Sequence, residues 1–158
     1  MRGLLRTRIT SAAGAVTLLT AGLIGISAGQ ADAMSRVNYC GSSYGFLKSW
    51  AIKDGWYPNP TVGYIDVYYN SSNGNNCVIT RANDSEVGGG NHIIAGIRKS
   101  GSSTWKLDGT NSNYTSYAGP LYVYAAGSCI DIYGELNFTS GGTGADHGLA
   151  VYEDVHCG

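Results

Sequence analysis

The sequence predicts an all-β fold: a small, disulfide-stapled antiparallel β-sandwich or a partly closed β-barrel. Three observations carry this. Short runs rich in Val, Ile and Tyr recur between Gly, Asn and Ser clusters at intervals of roughly ten residues. No stretch of ten or more residues keeps a 3.6-residue apolar period, so at most a turn of helix is expected. The cysteines Cys40, Cys77, Cys129 and Cys157 are even in number and widely spaced, in a chain that opens like an exported one.

The opening is a secretory leader. Arg2, Arg6 and Arg8 precede an uncharged run from Ile9 to Ala28, and Ala31-Asp32-Ala33 ends it in the small-x-small pattern of a cleavage site. The run is diluted by Gly, Ser and Thr, which favours cleavage over a retained anchor, and Thr7 splits Arg6 from Arg8, so there is no twin-arginine pair. Residues 1–33 are read as a cleaved signal peptide and residues 34–158 as one β domain. No later segment reaches bilayer-spanning length, so no membrane contact is expected after cleavage.

Within that domain Val62 to Tyr69 alternates, with Ile65 and Val67 on one face and Tyr64, Asp66 and Tyr68 on the other. Asn70 to Asn75 reads as a hairpin turn, because Asn and Gly tolerate positive φ, and Cys77 to Arg81 returns as the partner strand. His92 to Lys99 follows the triple glycine 88–90, with Ile93, Ala95 and Ile97 in phase. Ser100 to Ser103 turns that strand towards Trp105 and Leu107. Further strands are expected at Tyr114 to Tyr117, Leu121 to Ala125 and Ser128 to Phe138, with a tight turn at Ala126-Gly127. A flexible Gly-rich loop then precedes a terminal strand near Leu149 to Val155.

Four cysteines allow three pairings. The spacing holds no C-x-x-C, which excludes a zinc ribbon or a redox pair. Cys77 shares a phase with Ile79 and so is expected to point inward. Cys129 is out of phase with Ile130 and Ile132 and could meet a tail laid over the outside. This favours Cys40–Cys77 with Cys129–Cys157, the other pairings remaining open.

Charge excludes some partners. Without Arg2, Arg6, Arg8 and Asp32 the chain keeps seven basic and ten acidic residues, a net charge of about −3, and no basic run. Nucleic acid and anionic membranes, which are bound through clustered Lys and Arg, are not expected partners.

No pattern carries catalytic chemistry. Gly41-Ser42-Ser43-Tyr44-Gly45 matches G-x-S-x-G but lacks the strand-to-helix context of a nucleophile elbow, and the leader holds a second match at Gly25 to Gly29. Asp131 and Glu135 lie four residues apart on one strand, about 13 Å by strand rise, too far for a glycosidase pair. Asp66 could approach from a neighbouring strand, but ordinary alternation makes these carboxylates a solvated face. Asp146, His147, Glu153, Asp154 and His156 gather near the end without a metal-binding spacing. His92 reads as a surface or edge histidine. Gly142 to His147 begins like a dinucleotide loop, then places His147 where the third glycine belongs. No cofactor and no metal are expected.

The aromatic residues offer the better candidate. Tyr64, Tyr68 and Tyr133 fall opposite the apolar phase of their strands, and Tyr122 and Tyr124 share a phase. If these faces coincide, the five tyrosines form an outward patch suited to stacking on sugars or to self-association, since Tyr has an apolar ring and a polar tip. The competing reading is cross-strand packing of tyrosine pairs. Trp50, Trp56, Tyr57 and Trp105 are a second, loop-borne candidate cluster.

Three blocks of sequence are distinctive: Tyr39 to Tyr44 (YCGSSY), Asn75 to Thr80 (NNCVIT) and Tyr117 to Gly134 (YAGPLYVYAAGSCIDIYG). In order and content they resemble the spore-associated protein A family, small proteins secreted by filamentous actinomycetes. The resemblance spans most of the mature chain, and the tail at Cys157 has no match in it. It implies an exported protein that adheres to spores or hyphae, and it brings no active site to transfer. It also makes the N-x-[ST] sites at Asn70, Asn83, Asn113 and Asn137 irrelevant, as these matter in a eukaryotic secretory pathway. The expected function is therefore non-enzymatic: a spore- or cell-surface protein binding wall glycan, protein or itself through the aromatic face. A secreted inhibitor or toxin-like module is the alternative, and a wall-polymer hydrolase the least supported.

Overall fold

Strands with one apolar face must bury it, and eight strands among the described residues do so in two layers. The computed structural model describes residues 36–56, 58–83, 92–140 and 144–158; the expected leader, residues 1–33, lies outside the described residues. In chain order the strands are β1 (Gly45–Lys53), β2 (Thr61–Asn70), β3 (Asn75–Ala82), β4 (His92–Lys99), β5 (Lys106–Asp108), β6 (Tyr117–Tyr124), β7 (Ile130–Ser140) and β8 (Gly144–Val155). They form two antiparallel sheets, ordered β1-β2-β3-β6 and β5-β4-β7-β8. The sheets do not close into a barrel. They make a β-sandwich, touching along one side through an isolated bridge between Asp54 and Gly148.

The phases read from the sequence meet in the middle. Ile65, Val67 and Val78 from the first sheet face Ile93, Ala95, Ile97, Ile130, Ile132 and Leu136 from the second. Each fully buried aliphatic side chain contributes about 1.5–3 kcal/mol, so this cluster is the main favourable term of the fold. Gly134, on β7, keeps the layers close. A Cβ there would meet Ile52 Cδ1 and Ile65 Cγ1, each at 2.6 Å, so the absent side chain lets two isoleucines rest on the strand.

A second, smaller core sits on the outer side of the first sheet. Cys40, Tyr68, Cys77 and Ile79 are buried there, with Tyr44 and Tyr117 packed against them. Residues 36–44 form a strap across this face, tied down by the Cys40–Cys77 disulfide. The second disulfide, Cys129–Cys157, staples the tail. The pairing favoured by strand phase is the one present. Against the inward expectation, Cys77 and Ile79 face outward, beneath the strap, and not into the main core. Alternation separates two faces but cannot say which of them meets the other sheet.

Other departures are local. No strand was expected between Tyr44 and Val62, yet β1 runs from Gly45 to Lys53. It is an edge strand whose alternation is broken by a register shift between Phe46 and Lys48. The strand expected at Tyr114 to Tyr117 is irregular until Tyr117, where β6 begins and continues through Pro120 to Tyr124. An edge strand tolerates Pro, and a register shift between Val78 and Thr80 absorbs the irregularity. β8 starts at Gly144, earlier than expected, and so takes in part of the presumed flexible loop. The turns at 71–74, 100–101 and Ala126-Gly127 fall where the sequence places them.

Candidate functional site

The five candidate tyrosines divide between two opposite surfaces. Tyr64, Tyr68, Tyr122 and Tyr124 lie on the outer side of the first sheet. Tyr133 lies on the outer side of the second, because β7 belongs there. They therefore do not form one patch. Tyr68 is 1% exposed, and its hydroxyl donates to the Val37 carbonyl at 3.4 Å. Burial, then the nearby Asp66 charge, raises its pKa. Tyr64 is half-buried under the Arg81 guanidinium, which sits 4.4 Å from its ring centre. Tyr122 donates to the Cys40 carbonyl at 3.2 Å, and its pKa is raised by burial and then by Tyr44. Tyr124 is the most open of the five, at 63% exposure.

The strap adds aromatic rings that strand phase did not single out. Tyr39 stacks on Tyr117 with centroids 4.0 Å apart and planes 10° from parallel. Tyr44 tilts against Tyr122, Phe46 meets the edge of Tyr68, and Arg36 lies over Phe46. Tyr39 and Phe46 stay substantially exposed. The first sheet thus carries an aromatic outer surface built partly from segments outside its strands.

Beside the Tyr39–Tyr117 stack is a cleft of about 310 Å³ lined by Tyr114, Thr115, Ser116, Tyr117 and Gly119. Asp108 braces it, one carboxylate oxygen accepting the Gly119 N–H at 2.8 Å and the other the Tyr114 hydroxyl at 3.4 Å. The Ser116 carbonyl accepts the Ala82 N–H at 3.1 Å, which pins the loop to β3. Gly119 has φ +97°, and a Cβ on it would lie 2.7 Å from the Val78 carbonyl oxygen, so only glycine suits this floor.

The second sheet carries a more apolar cleft of about 250 Å³, lined by Ile94, Trp105, Leu107, Thr110 and Tyr133. Trp105 meets the edge of Tyr133 and is covered on one side by Arg98. The Tyr133 hydroxyl donates to Glu135, and burial together with that carboxylate pushes its pKa far up. Trp50 instead packs against Tyr152, and Trp56 stands exposed, so the tryptophans do not form a common cluster; Tyr57 lies outside the described residues.

The carboxylates are occupied and far apart. Asp66, 1% exposed, accepts from Arg81 Nε at 2.7 Å and from the Ser49 hydroxyl. Asp131, 2% exposed, accepts from Arg98 Nε at 2.7 Å, Ser100 Oγ at 2.5 Å and the Asp154 N–H at 3.0 Å. Burial alone would raise the Asp131 pKa, but these hydrogen bonds outweigh it and hold the group below its ordinary value. Glu135 behaves alike: burial opposes ionisation, and contacts from Tyr133, Asn137 and His147 overcome it. The expected solvated face is therefore a set of buried or half-buried ion pairs. Asp66 and the Asp131–Glu135 pair lie on opposite outer faces, with more than about 10 Å of sandwich between them. They do not converge.

The polar residues of the tail also disperse. His147 reaches Glu135 at 3.2 Å, Glu153 reaches Arg98 at 3.2 Å, and the His156 ring rests against Tyr69 with centroids 4.9 Å apart. The side chain of Asp146 lies outside the described residues. Among the described residues, His, Cys, Asp and Glu form no group of three fit to hold a metal ion.

The chain is 33% identical over 125 residues to spore-associated protein A of Streptomyces coelicolor, covering 73% of this chain and 74% of that protein. It belongs to the spore-associated protein A family. No family model matches the chain, and no solved structure matches it. The two disulfides of this family member fit an extracellular or surface location, where thiols stay oxidised. The S. coelicolor relative is named for its association with spores.

Proposed function

We propose that this spore-associated protein A family member is exported through its leader and held at the spore or cell surface, where it acts by adhesion and not by catalysis. Wall glycan is its foremost partner, with a surface protein or a second copy as the other occupants of the same aromatic surface. One observation carries the reading. The strand carboxylates Asp66 and Asp131 are paired with Arg81 and Arg98, while aromatic rings of the strap and of β6 stay presented on the outer side of the first sheet. The surface therefore has groups that stack and hydrogen-bond, and its charged groups are committed to structure. Disulfide stapling suits a small domain that must persist outside the cell.

The test is co-sedimentation of the oxidised protein, residues 34–158, with purified cell walls and spore coats, with and without competing sugars. Retention on either, relieved by sugar, is the expected result. Failure to sediment with both materials overturns the adhesion reading.

A further inference from the structure

The cleft between Tyr114 and Gly119 has properties that the open tyrosines of β6 lack. It is concave, its walls are pinned, and its lining mixes aromatic rings with hydroxyls. At about 310 Å³ it lies near the lower end of small-ligand sites, roughly 300–1,000 Å³, which suits a ring or two and not a folded partner.

The lining narrows the chemistry. The rings of Tyr114 and Tyr117 offer apolar surface, and Tyr39 stacks on Tyr117 and holds that ring in place. Ser116 adds a hydroxyl group next to those rings. A sugar ring matches this pattern, having apolar C–H faces and a girdle of hydroxyls that need both donors and acceptors. Among the described residues that line the cleft there is no Lys, Arg or His. The nearby Lys106 ammonium donates to the Tyr122 carbonyl at 2.7 Å, and the charge bracing the site is the Asp108 carboxylate. An acidic ligand would meet the Asp108 charge with no cation among the described lining residues, which favours a neutral one.

We propose that this cleft is a binding subsite for neutral sugar units of a surface polysaccharide, with Tyr114 and Tyr117 as stacking walls and Asp108 as a positioning residue. The Asp108 bonds to the Gly119 N–H and the Tyr114 hydroxyl hold floor and wall in register before ligand arrives, which reduces the ordering cost of binding. The inference rests on the adhesion reading and adds a place and a ligand class to it.

The experiment is isothermal titration calorimetry of the oxidised protein with three probes: the N-acetylglucosamine trimer, the glucose trimer cellotriose, and the acidic galacturonate trimer. Saturable binding of a neutral trimer, and weaker or no binding of the acidic one, is expected. Tyr114→Ala should weaken the neutral trimer at least about tenfold, while Tyr124→Ala should change it less than about twofold. Tyr114 stands in a loop and is 36% exposed, so its removal should spare the fold. Tyr39→Ala, which unstacks Tyr117 from outside the sheets, is the second variant and should weaken binding in the same direction. Unchanged affinity in both Tyr114→Ala and Tyr39→Ala, or tighter binding of the acidic trimer, overturns the proposal. A protein that sediments with walls yet binds neither neutral trimer overturns it too, leaving adhesion standing; a protein that does not sediment with walls or spore coats removes the adhesion reading itself.

Discussion

Replacing Cys40 and Cys77 together by Ala tests whether the aromatic surface depends on its strap. The cross-link spans 37 residues of sequence, and closing a loop of that length in the unfolded chain corresponds to about 3.8 kcal/mol of stability at 25 °C. The Cys129–Cys157 link spans 28 residues and corresponds to about 3.6 kcal/mol. Chain entropy alone therefore treats the two bridges alike. Burial separates them: Cys40 and Cys77 are 5% and 0% exposed within the outer core, whereas Cys157 is exposed. Cys40→Ala/Cys77→Ala should thus be the more costly double variant, losing about 4–5 kcal/mol and roughly 15 °C in Tm. Urea unfolding followed by Trp fluorescence measures the loss, and hydrogen exchange reports whether the β3 amides near Cys77 lose protection as the strap lifts. Equal stability loss in both double variants, with β3 protection unchanged, would refute the reasoning. The cross-link would then act only on the unfolded chain and not as a clamp on the outer core.

Two further outcomes follow from the buried charges. Arg81→Met leaves the Asp66 carboxylate buried with its ion pair broken and should cost about 3–5 kcal/mol, while Arg81→Met/Asp66→Leu should recover most of the loss in chemical denaturation. Asp131, held below its ordinary pKa of about 3.9, contributes stability that is present above that value and lost as pH falls through its lower folded pKa. Ser100→Ala removes one of its hydrogen bonds, so an NMR titration of the Asp131 carboxyl should show its pKa move upward.

Much of the sandwich was legible in the residues. The alternation of Ile65 and Val67, of Ile93, Ala95 and Ile97, and of Ile130 and Ile132 named core faces that the two sheets bury against each other. The candidate site was less legible. Strand phase sets Tyr64, Tyr68 and Tyr133 opposite the apolar side and gives Tyr122 and Tyr124 a shared phase, but nothing local shows that a strap covers Tyr68 or that β7 carries Tyr133 to the other sheet. The cleft has no signature in strand patterning: Tyr114 to Tyr117 reads as strand, although the turn-forming run Gly109 to Asn113 signals a loop just before it.

Period-two alternation and turn chemistry are properties of neighbouring residues, so they set the all-β class and most strands, whereas the disulfide pairing depends on the strap and tail crossing the sheets. Which outer face each tyrosine occupies, which arginine neutralises Asp66 or Asp131, and which rings flank a cleft depend on residues 15 to 33 or more positions apart in the chain. Strand order and the path of the strap bring those residues together, and they are decided by the packing of whole sheets, which no local pattern encodes.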